Sequence, residues 1–309
     1  MTNNDLVKAA AIQTSTLNNG LLNPEQARRF LRQAFEKTNL GPLVRHEMRV
    51  SKTGEIDKIG IASRIVRKKI ENTDDGYRAD VQTSKIEYAT TAVRLPWEIT
   101  EETLRENIEG QNFEAIVTDL MTTQLGIDME DLYLNGDEST SSSDQDYDFL
   151  KINDGWLKQL TNGHVVDASQ APYSGAMSLD LFYDTLQALP NKYNNGRLRW
   201  LMSPKRAQEW ELFLLNKIVN QGGAVPDNVY TAPARIPTIE CPSLPDTKII
   251  LTDPKNLIVV NSYSVQIRKT MEGKEAIMQD KRFYVIHLDY DPIIEETDAT
   301  AIISGLSSL

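Results

Sequence analysis

Residues 91–137 read TAVRLPWEITEETLRENIEGQNFEAIVTDLMTTQLGIDMEDLYLNGD, and this stretch decides the fold. Its first part, residues 92–99, is predicted as a β-strand. Thr100 is followed by two glutamates, the pattern of a helix N-cap and an acidic first turn, so a short helix comes next. Apolar residues at helical spacing then predict a long helix over about residues 111–134, which Asn135-Gly136 ends.

Upstream of this stretch lie two segments of different character. Asn23-Pro24 opens a short amphipathic helix that Gly41-Pro42 stops. Because such a helix cannot bury its apolar stripe alone, residues 1–45 are predicted as an arm that docks elsewhere. Residues 46–90 mix β-branched residues with many cations around the turn signal Asp74-Asp75-Gly76, which predicts a projecting hairpin. A two-stranded ribbon is only marginally stable alone, so this hairpin should lie on a partner surface.

Downstream, helices and strands alternate without an internal repeat, and the class is α+β. Ser178 caps a helix over residues 178–193, and Ser203-Pro204 opens another. Residues 219–246 are rich in Gly and Pro and are predicted as loop. The predicted strands are residues 200–202, 248–252, 257–260, 263–270, 282–290 and 300–305.

Composition excludes several classes of protein. The chain has 309 residues, one cysteine and a formal net charge of −11. A lone cysteine excludes an intrachain disulfide, and the acidic balance argues against nucleic-acid binding by simple counterion release. There is neither a bilayer-spanning apolar run nor a signal-peptide pattern at the N-terminus, so we expect a protein made inside the cell, without a membrane partner.

Signals for chemistry are weak. His46, His164 and His287 are scattered, Cys241 has no paired motif, and neither nucleotide-binding nor hydrolase motifs occur, so no catalytic residue, metal ligand or cofactor is predicted. The cluster Asp144, Asp146 and Asp148 has the opening spacing of a calcium loop. The rest of that pattern fails, because Phe149 stands where Gly is needed and Gly155 where a bidentate Glu belongs. Residues 137–148 are therefore predicted as a solvated loop.

Two charged groups stand out as candidate contacts. The run Arg64, Arg67, Lys68 and Lys69 is either a nucleic-acid patch or an ion-pair strip between subunits, and the lack of interleaved aromatic residues favours the strip. Glu130 and Asp131 lie near the C-terminus of the long helix, where carboxylates oppose the helix dipole. Their predicted role is to pair with cations of a neighbouring subunit.

Taken in order, these pieces resemble the tailed-bacteriophage major capsid proteins of the Hong Kong 97-like fold. That family has a strand, a short acidic helix, a long spine helix ending in an Asn-Gly-Asp-like turn, a variable loop and a Gly-apolar step. Those features fall here at residues 91–99, 101–108, 111–132, 130–137, 138–148 and 155–157, with weaker matches at 200–204 and 282–292. Arg235-Ile236-Pro237 departs from the family's frequent Gly-x-Pro. The ordered set carries the resemblance, which covers about residues 46–305.

The resemblance implies four parts: an N-terminal arm (1–45), an extended β-hairpin loop over the adjacent subunit (46–90), a peripheral domain (91–172 with strands 259–290), and an axial domain (173–258 with 291–309). It implies a structural subunit that self-assembles as hexamers and pentamers into an icosahedral head enclosing double-stranded DNA. An acidic wall would suit a container that must release its DNA. The implied location is the virion, after assembly in the host cytoplasm.

The resemblance also implies partners and leaves alternatives open. Scaffolding protein, portal and decoration protein are the expected partners. Some relatives cross-link a loop lysine to a neighbour's asparagine, for which Lys58, Lys68 and Lys69 are candidates here. The main alternative is an encapsulin-type nanocompartment shell, which shares the fold, and a third is a metal-dependent hydrolase built on the Asp144 to Asp148 cluster.

Overall fold

The structure is a computed structural model that describes residues 39–60, 65, 66, 68, 76, 78, 82–106, 112–220 and 232–307. The strands within these residues are β1 (Arg45–Met48), β2 (Thr53–Gly60), β3 (Gln82–Ala89), β4 (Thr91–Thr100), β5 (His164–Asp167), β6 (Arg199–Met202), β7 (Thr238–Glu240), β8 (Ile249–Thr252), β9 (Leu257–Thr270), β10 (Lys281–Ile294) and β11 (Ala301–Ser304). The α-helices are α1 (Glu101–Glu106), α2 (Phe113–Asn135), α3 (Tyr147–Leu150), α4 (Trp156–Gln159), α5 (Leu179–Ala188), α6 (Pro204–Asn220) and α7 (Lys274–Gln279).

The strands form three sheets. A four-stranded sheet has the order β1-β9-β10-β4, a five-stranded sheet has the order β5-β11-β8-β6-β7, and β2 pairs with β3 alone. The long antiparallel strands β9 and β10 form the centre of the first sheet, with β4 antiparallel to β10 and the short β1 parallel to β9. This mixture confirms the predicted α+β class.

The decisive stretch folds as its pattern predicts. Thr100 caps α1, because its Oγ1 accepts a hydrogen bond from the backbone N–H of Thr103 at 3.3 Å. Glu101 and Glu102 occupy the first turn, where the helix dipole favours negative charge. Helix α2 then runs for 23 residues and packs against the four-stranded sheet. The buried residues at this contact are Trp97, Ile99, Phe113, Val117, Tyr284 and Ile286.

The end of α2 is set by a steric contact. Gly136 has φ −51° and ψ 138°, which any residue can adopt, so the left-handed glycine cap common at helix ends is not formed here. A Cβ on Gly136 would instead lie 2.2 Å from the carbonyl oxygen of Asn153. The N–H of Gly155 donates to the carbonyl of Gly136 at 2.8 Å. Two chain segments therefore cross in direct backbone contact, which only glycine permits.

Two apolar cores cover opposite faces of the five-stranded sheet. Alternate strand residues point to opposite faces. Leu201, Ile250 and Ile302 join a core with the end of α2, α4 and the four-stranded sheet, so this core unites the two sheets. Trp200 and Ile303 point the other way, into a second core covered by α5 and α6.

Several elements differ from their predicted limits. Strands β5 and β7 were not predicted, and β9 is one strand where two were expected. Helix α5 ends at Ala188 and not at residue 193, because Pro190 follows and a proline has no backbone N–H to continue the ladder. The helix predicted from residue 24 lies outside the described residues.

Sheet membership does not coincide with the predicted domain limits. Strand β1 lies in the four-stranded sheet, although residues 45–48 were assigned to the arm and the extended loop. Strand β5 pairs with β11 in the five-stranded sheet, although residues 164–167 were assigned to the peripheral domain. Residues 291–294 continue β10 in the four-stranded sheet, although they were assigned to the axial domain. The reason is that strands far apart in the sequence pair with one another, so continuous ranges of residues cannot separate the two sheets.

Candidate intersubunit surfaces

The hairpin β2–β3 docks on its own subunit through one face. Its inner apolar residues pack on buried residues of the four-stranded sheet; the cluster is Ile56, Ile86, Tyr88, Ile258, Val260 and Ile293. Gly54 stands opposite Tyr88, and a Cβ there would lie 2.6 Å from the tyrosine hydroxyl oxygen. Glycine thus leaves room for the ring, and the base of the hairpin is held by burial of apolar surface.

Polar contacts reinforce the docked base. The ammonium group of Lys58 donates to the carbonyl oxygen of Glu295 at 2.8 Å and lies 2.5 Å from the carboxylate of Glu296. Asp291 accepts hydrogen bonds from the N–H of Ala89 at 2.7 Å and from Nδ2 of Asn153 at 3.0 Å. Burial raises the pKa of Asp291. Lys58, one of the candidate cross-linking lysines, therefore has its ammonium group engaged within its own subunit.

The basic run is described only in part. Lys68 is exposed, as are its neighbours Ile65 and Val66, and Val66 is 89% exposed. Arg64, Arg67 and Lys69 lie outside the described residues. The described part of the run is therefore accessible to another molecule.

Glu130 lies inside the subunit. The residue is 3% exposed, and its Oε2 accepts hydrogen bonds from the N–H groups of Leu40 and Gly41 at 3.2 and 3.3 Å. Burial raises the pKa of this carboxyl, although the two backbone donors act in the opposite direction. Glu130 thus holds the segment at residues 39–44, whose Leu40 and Val44 enter the core. This position leaves Glu130 little surface for a neighbour's cation.

Asp131 offers the accessible half of the predicted acidic pair. It is half-buried, and its Oδ1 accepts a hydrogen bond from Nδ2 of Asn135 at 2.5 Å. Burial raises its pKa, and the nearby carboxylates of Asp128 and Asp146 raise it further. Asp131 makes no ion pair in the part of the chain that the structure describes. A cation from a second copy would relieve this repulsion, and the intersubunit contact stays a prediction.

Glu130→Gln is expected to change how stability depends on pH. A carboxyl whose pKa is raised on folding contributes stability that is present below its unfolded pKa, near 4.5, and is lost as pH rises through the folded value. The amide can still accept from both N–H groups but does not ionise. The variant should therefore gain stability relative to wild type at pH 8, with the gain shrinking towards pH 4.5. Urea unfolding at several pH values measures this; a difference independent of pH would contradict it.

The remaining candidates stay apart in space. Asp144, Asp146 and Asp148 are exposed, and among the described residues no three His, Cys, Asp or Glu side chains converge on a metal position. Cys241 is buried, and burial raises the pKa of its thiol. No helix within the described ranges is both long and apolar enough to cross a membrane.

Sequence reasoning missed the docked face of the hairpin. The signal was present in the alternation of Gly54, Ile56 and Lys58 against Ile86 and Tyr88, which are the inner-face residues of the paired strands. The sequence predicts a hairpin that projects from the body and lies on a partner surface, because nothing local tells which face of a ribbon packs on its own subunit.

Comparison with known proteins finds one relative by sequence and several similar solved structures. No protein-family model matches the sequence. The chain is 30% identical over 323 aligned positions to the prophage capsid protein YqbE of Bacillus subtilis (strain 168), covering 97% of this chain and 98% of the relative. Among solved structures it resembles a chain of the satellite phage P4 procapsid with TM-score 0.61 and 12% identity, over 93% of this chain and 100% of that one. It also resembles the SrpI encapsulin of Synechococcus elongatus PCC 7942 with TM-score 0.56 and 13% identity, over 93% and 96%.

Proposed function

The chain belongs to the family of tailed-bacteriophage major capsid proteins, and from this membership we propose how its surfaces work in a shell. It is a major capsid protein with the Hong Kong 97-like fold, its copies assemble into a capsid, and its location is the virion. The observation that carries this conclusion is 30% identity to a prophage capsid protein over nearly the full length of both chains.

Beyond this, the copies form hexamers and pentamers that close an icosahedral head around double-stranded DNA in the host cytoplasm. The net charge of −11 supports a wall that contains DNA without binding it in a sequence-specific way. Scaffolding protein, portal and decoration protein are the assembly partners. The work of the chain is assembly and not catalysis.

The tip of the hairpin lies on an adjacent subunit. The base is docked on its own body, so the exposed run around Ile65, Val66 and Lys68 is the part that can reach a neighbour. Asp131, with Asp128 and Asp146 near it, is the acidic surface that this run contacts. An exposed ion pair contributes only about 0–1 kcal/mol, and weak contacts repeated around a shell allow errors to be corrected during assembly.

Lys68→Glu combined with Lys69→Glu is expected to prevent closed shells while leaving the folded subunit intact. The reversed charges would face Asp131 of the neighbour, and like charges repel over the few ångströms of such a contact. Electron microscopy counts the shells, and circular dichroism with thermal unfolding checks the subunit. Normal shells from this variant would contradict the hairpin contact.

Negative-stain electron microscopy of the purified protein tests the function itself. The protein is expressed first alone and then together with a scaffold-like gene. Closed shells, tubes, hexamers or pentamers are expected, and scaffold dependence favours the phage head over an encapsulin-type shell. The likeness to an encapsulin is at 13% identity and concerns the fold. A chain that stays monomeric or dimeric in every condition would overturn the proposal.

A further inference from the structure

A cleft of about 350 Å³ lies where the two large sheets and the hairpin meet. Its wall combines residues of β1, of β2, of the loop before β6 and of the turn between β8 and β9. The charged groups that line it are Arg45, Lys58, Arg197, Asp253, Lys255, Glu295 and Glu296. The cleft therefore sits beside the docked base of the hairpin, on the line where the two sheets join.

Two of its cations are accessible and lack a carboxylate partner. Arg45 pairs with Glu295, and Lys58 with Glu296, so these charges are compensated inside the cleft. Arg197 is exposed, and its guanidinium makes no ion pair with the described residues. Lys255 is also exposed, and its ammonium group makes one long hydrogen bond of 3.5 Å, to a backbone carbonyl. With Asp253 counted, four cations and three carboxylates give the cleft a net charge of +1, on a chain whose net charge is −11.

The outer face of the hairpin base carries the opposite excess. Glu55 stands directly opposite Glu87 across the β2–β3 pair, and Asp57 follows on the same face. All three are exposed, and Lys85 is the one cation among the facing residues, paired with Glu55. Like charges directly opposite each other destabilise a strand pair. Lys85 compensates Glu55, so three carboxylates and one cation leave this face with a net charge of −2, which a cationic partner would neutralise.

We propose that the outer face of one copy's hairpin base, through Glu87 and Asp57, docks on the cleft rim formed by Arg197 and Lys255 of a second copy. The inner face of the hairpin already packs on its own body, so within one chain the outer face points away from the cleft beside it. Two different surfaces of the same chain then meet head to tail, and such heterologous contacts generate rings when the rotation between copies closes. The inference rests on the proposed function, because it needs copies that assemble.

A charge swap tests the pairing. Glu87→Lys should leave the subunit at least as stable as wild type, because the repelling pair with Glu55 is removed, yet raise the protein concentration needed for shells about tenfold. Arg197→Glu should raise it similarly. The double variant, Glu87→Lys with Arg197→Glu, should return assembly towards wild type. Light scattering and electron microscopy at fixed salt measure assembly, and urea unfolding measures the subunit.

Glu106→Lys is the matched control, since it makes the same change in net charge at an exposed position, the last residue of α1, where the helix dipole favours positive charge. The pairing would be overturned if Glu106→Lys and Glu87→Lys lost assembly equally. It would also be overturned if both single variants, Glu87→Lys and Arg197→Glu, formed normal shells, or if the double variant did not recover assembly. In those cases wild-type shells still form and the proposed function stands. Wild-type protein that forms no shells would instead count against the function.

Discussion

Gly155→Ala is expected to destabilise the folded subunit by about 3 kcal/mol or more, an effect in the range of severe overpacking. Its new Cβ would lie 2.8 Å from the backbone nitrogen of Gly136 and 2.8 and 2.9 Å from the carbonyl oxygens of Leu134 and Leu132. Backbone atoms cannot rotate aside as the end of a side chain can, so the end of α2 or the loop after it must open. Urea unfolding of the unassembled subunit measures the loss.

Gly163→Ala is the matched control for Gly155→Ala. Its Cβ would meet its nearest neighbour, the carbonyl oxygen of Leu160, at 3.4 Å, which is close to ordinary contact. The free energy of unfolding should fall by no more than about 1 kcal/mol, the range of a tolerated glycine replacement. Equal losses at the two positions would show that backbone contact with Gly136 is not what demands glycine at 155.

Arg206→Met is expected to cost about 3–5 kcal/mol, as when one member of a buried charged network is removed. The arginine side chain is 1% exposed and donates from Nε to the carbonyl oxygen of Asp246 at 2.6 Å. It also pairs with Glu209 and donates to the carbonyl oxygen of Ser307, which ties α6 to the C-terminal segment. Methionine fills most of the volume but leaves these acceptors without their donor. Urea unfolding gives the loss, and hydrogen exchange at residues 304–307 should rise.

Lys205→Met changes the adjacent cation on the same helix. The side chain of Lys205 is 69% exposed and lies 3.1 Å from the carboxylate of Asp246, so its pair is exposed to solvent and should contribute under about 1 kcal/mol. A loss of similar size in both variants would contradict the view that burial gives Arg206 its role. A large loss with unchanged exchange near Ser307 would place the effect elsewhere in α6.

The candidate surfaces were predictable in part. The hairpin and the acidic end of α2 were both found from composition and spacing, and Lys68 is exposed as a contact residue must be. Glu130 and Asp131 are adjacent in sequence, and no local pattern distinguishes them. The fold does so, because Leu40 and Gly41 arrive from 90 residues away and direct their N–H groups at Glu130, leaving the surface to Asp131.

What the sequence by itself determined is the local order. The sequence predicts β4, α1 and α2 in the correct order from residue alternation, helical spacing, the Thr100 cap and the Asn135-Gly136 stop. These elements are predictable because each depends on residues that are only a few positions apart. Only the tertiary structure decided that Gly136 meets Gly155, that β5 and β7 are strands, and that unpaired cations and repelling glutamates lie on separate faces of one chain. These features arise where distant segments meet, and short strands acquire their structure from the partners that complete their hydrogen bonds.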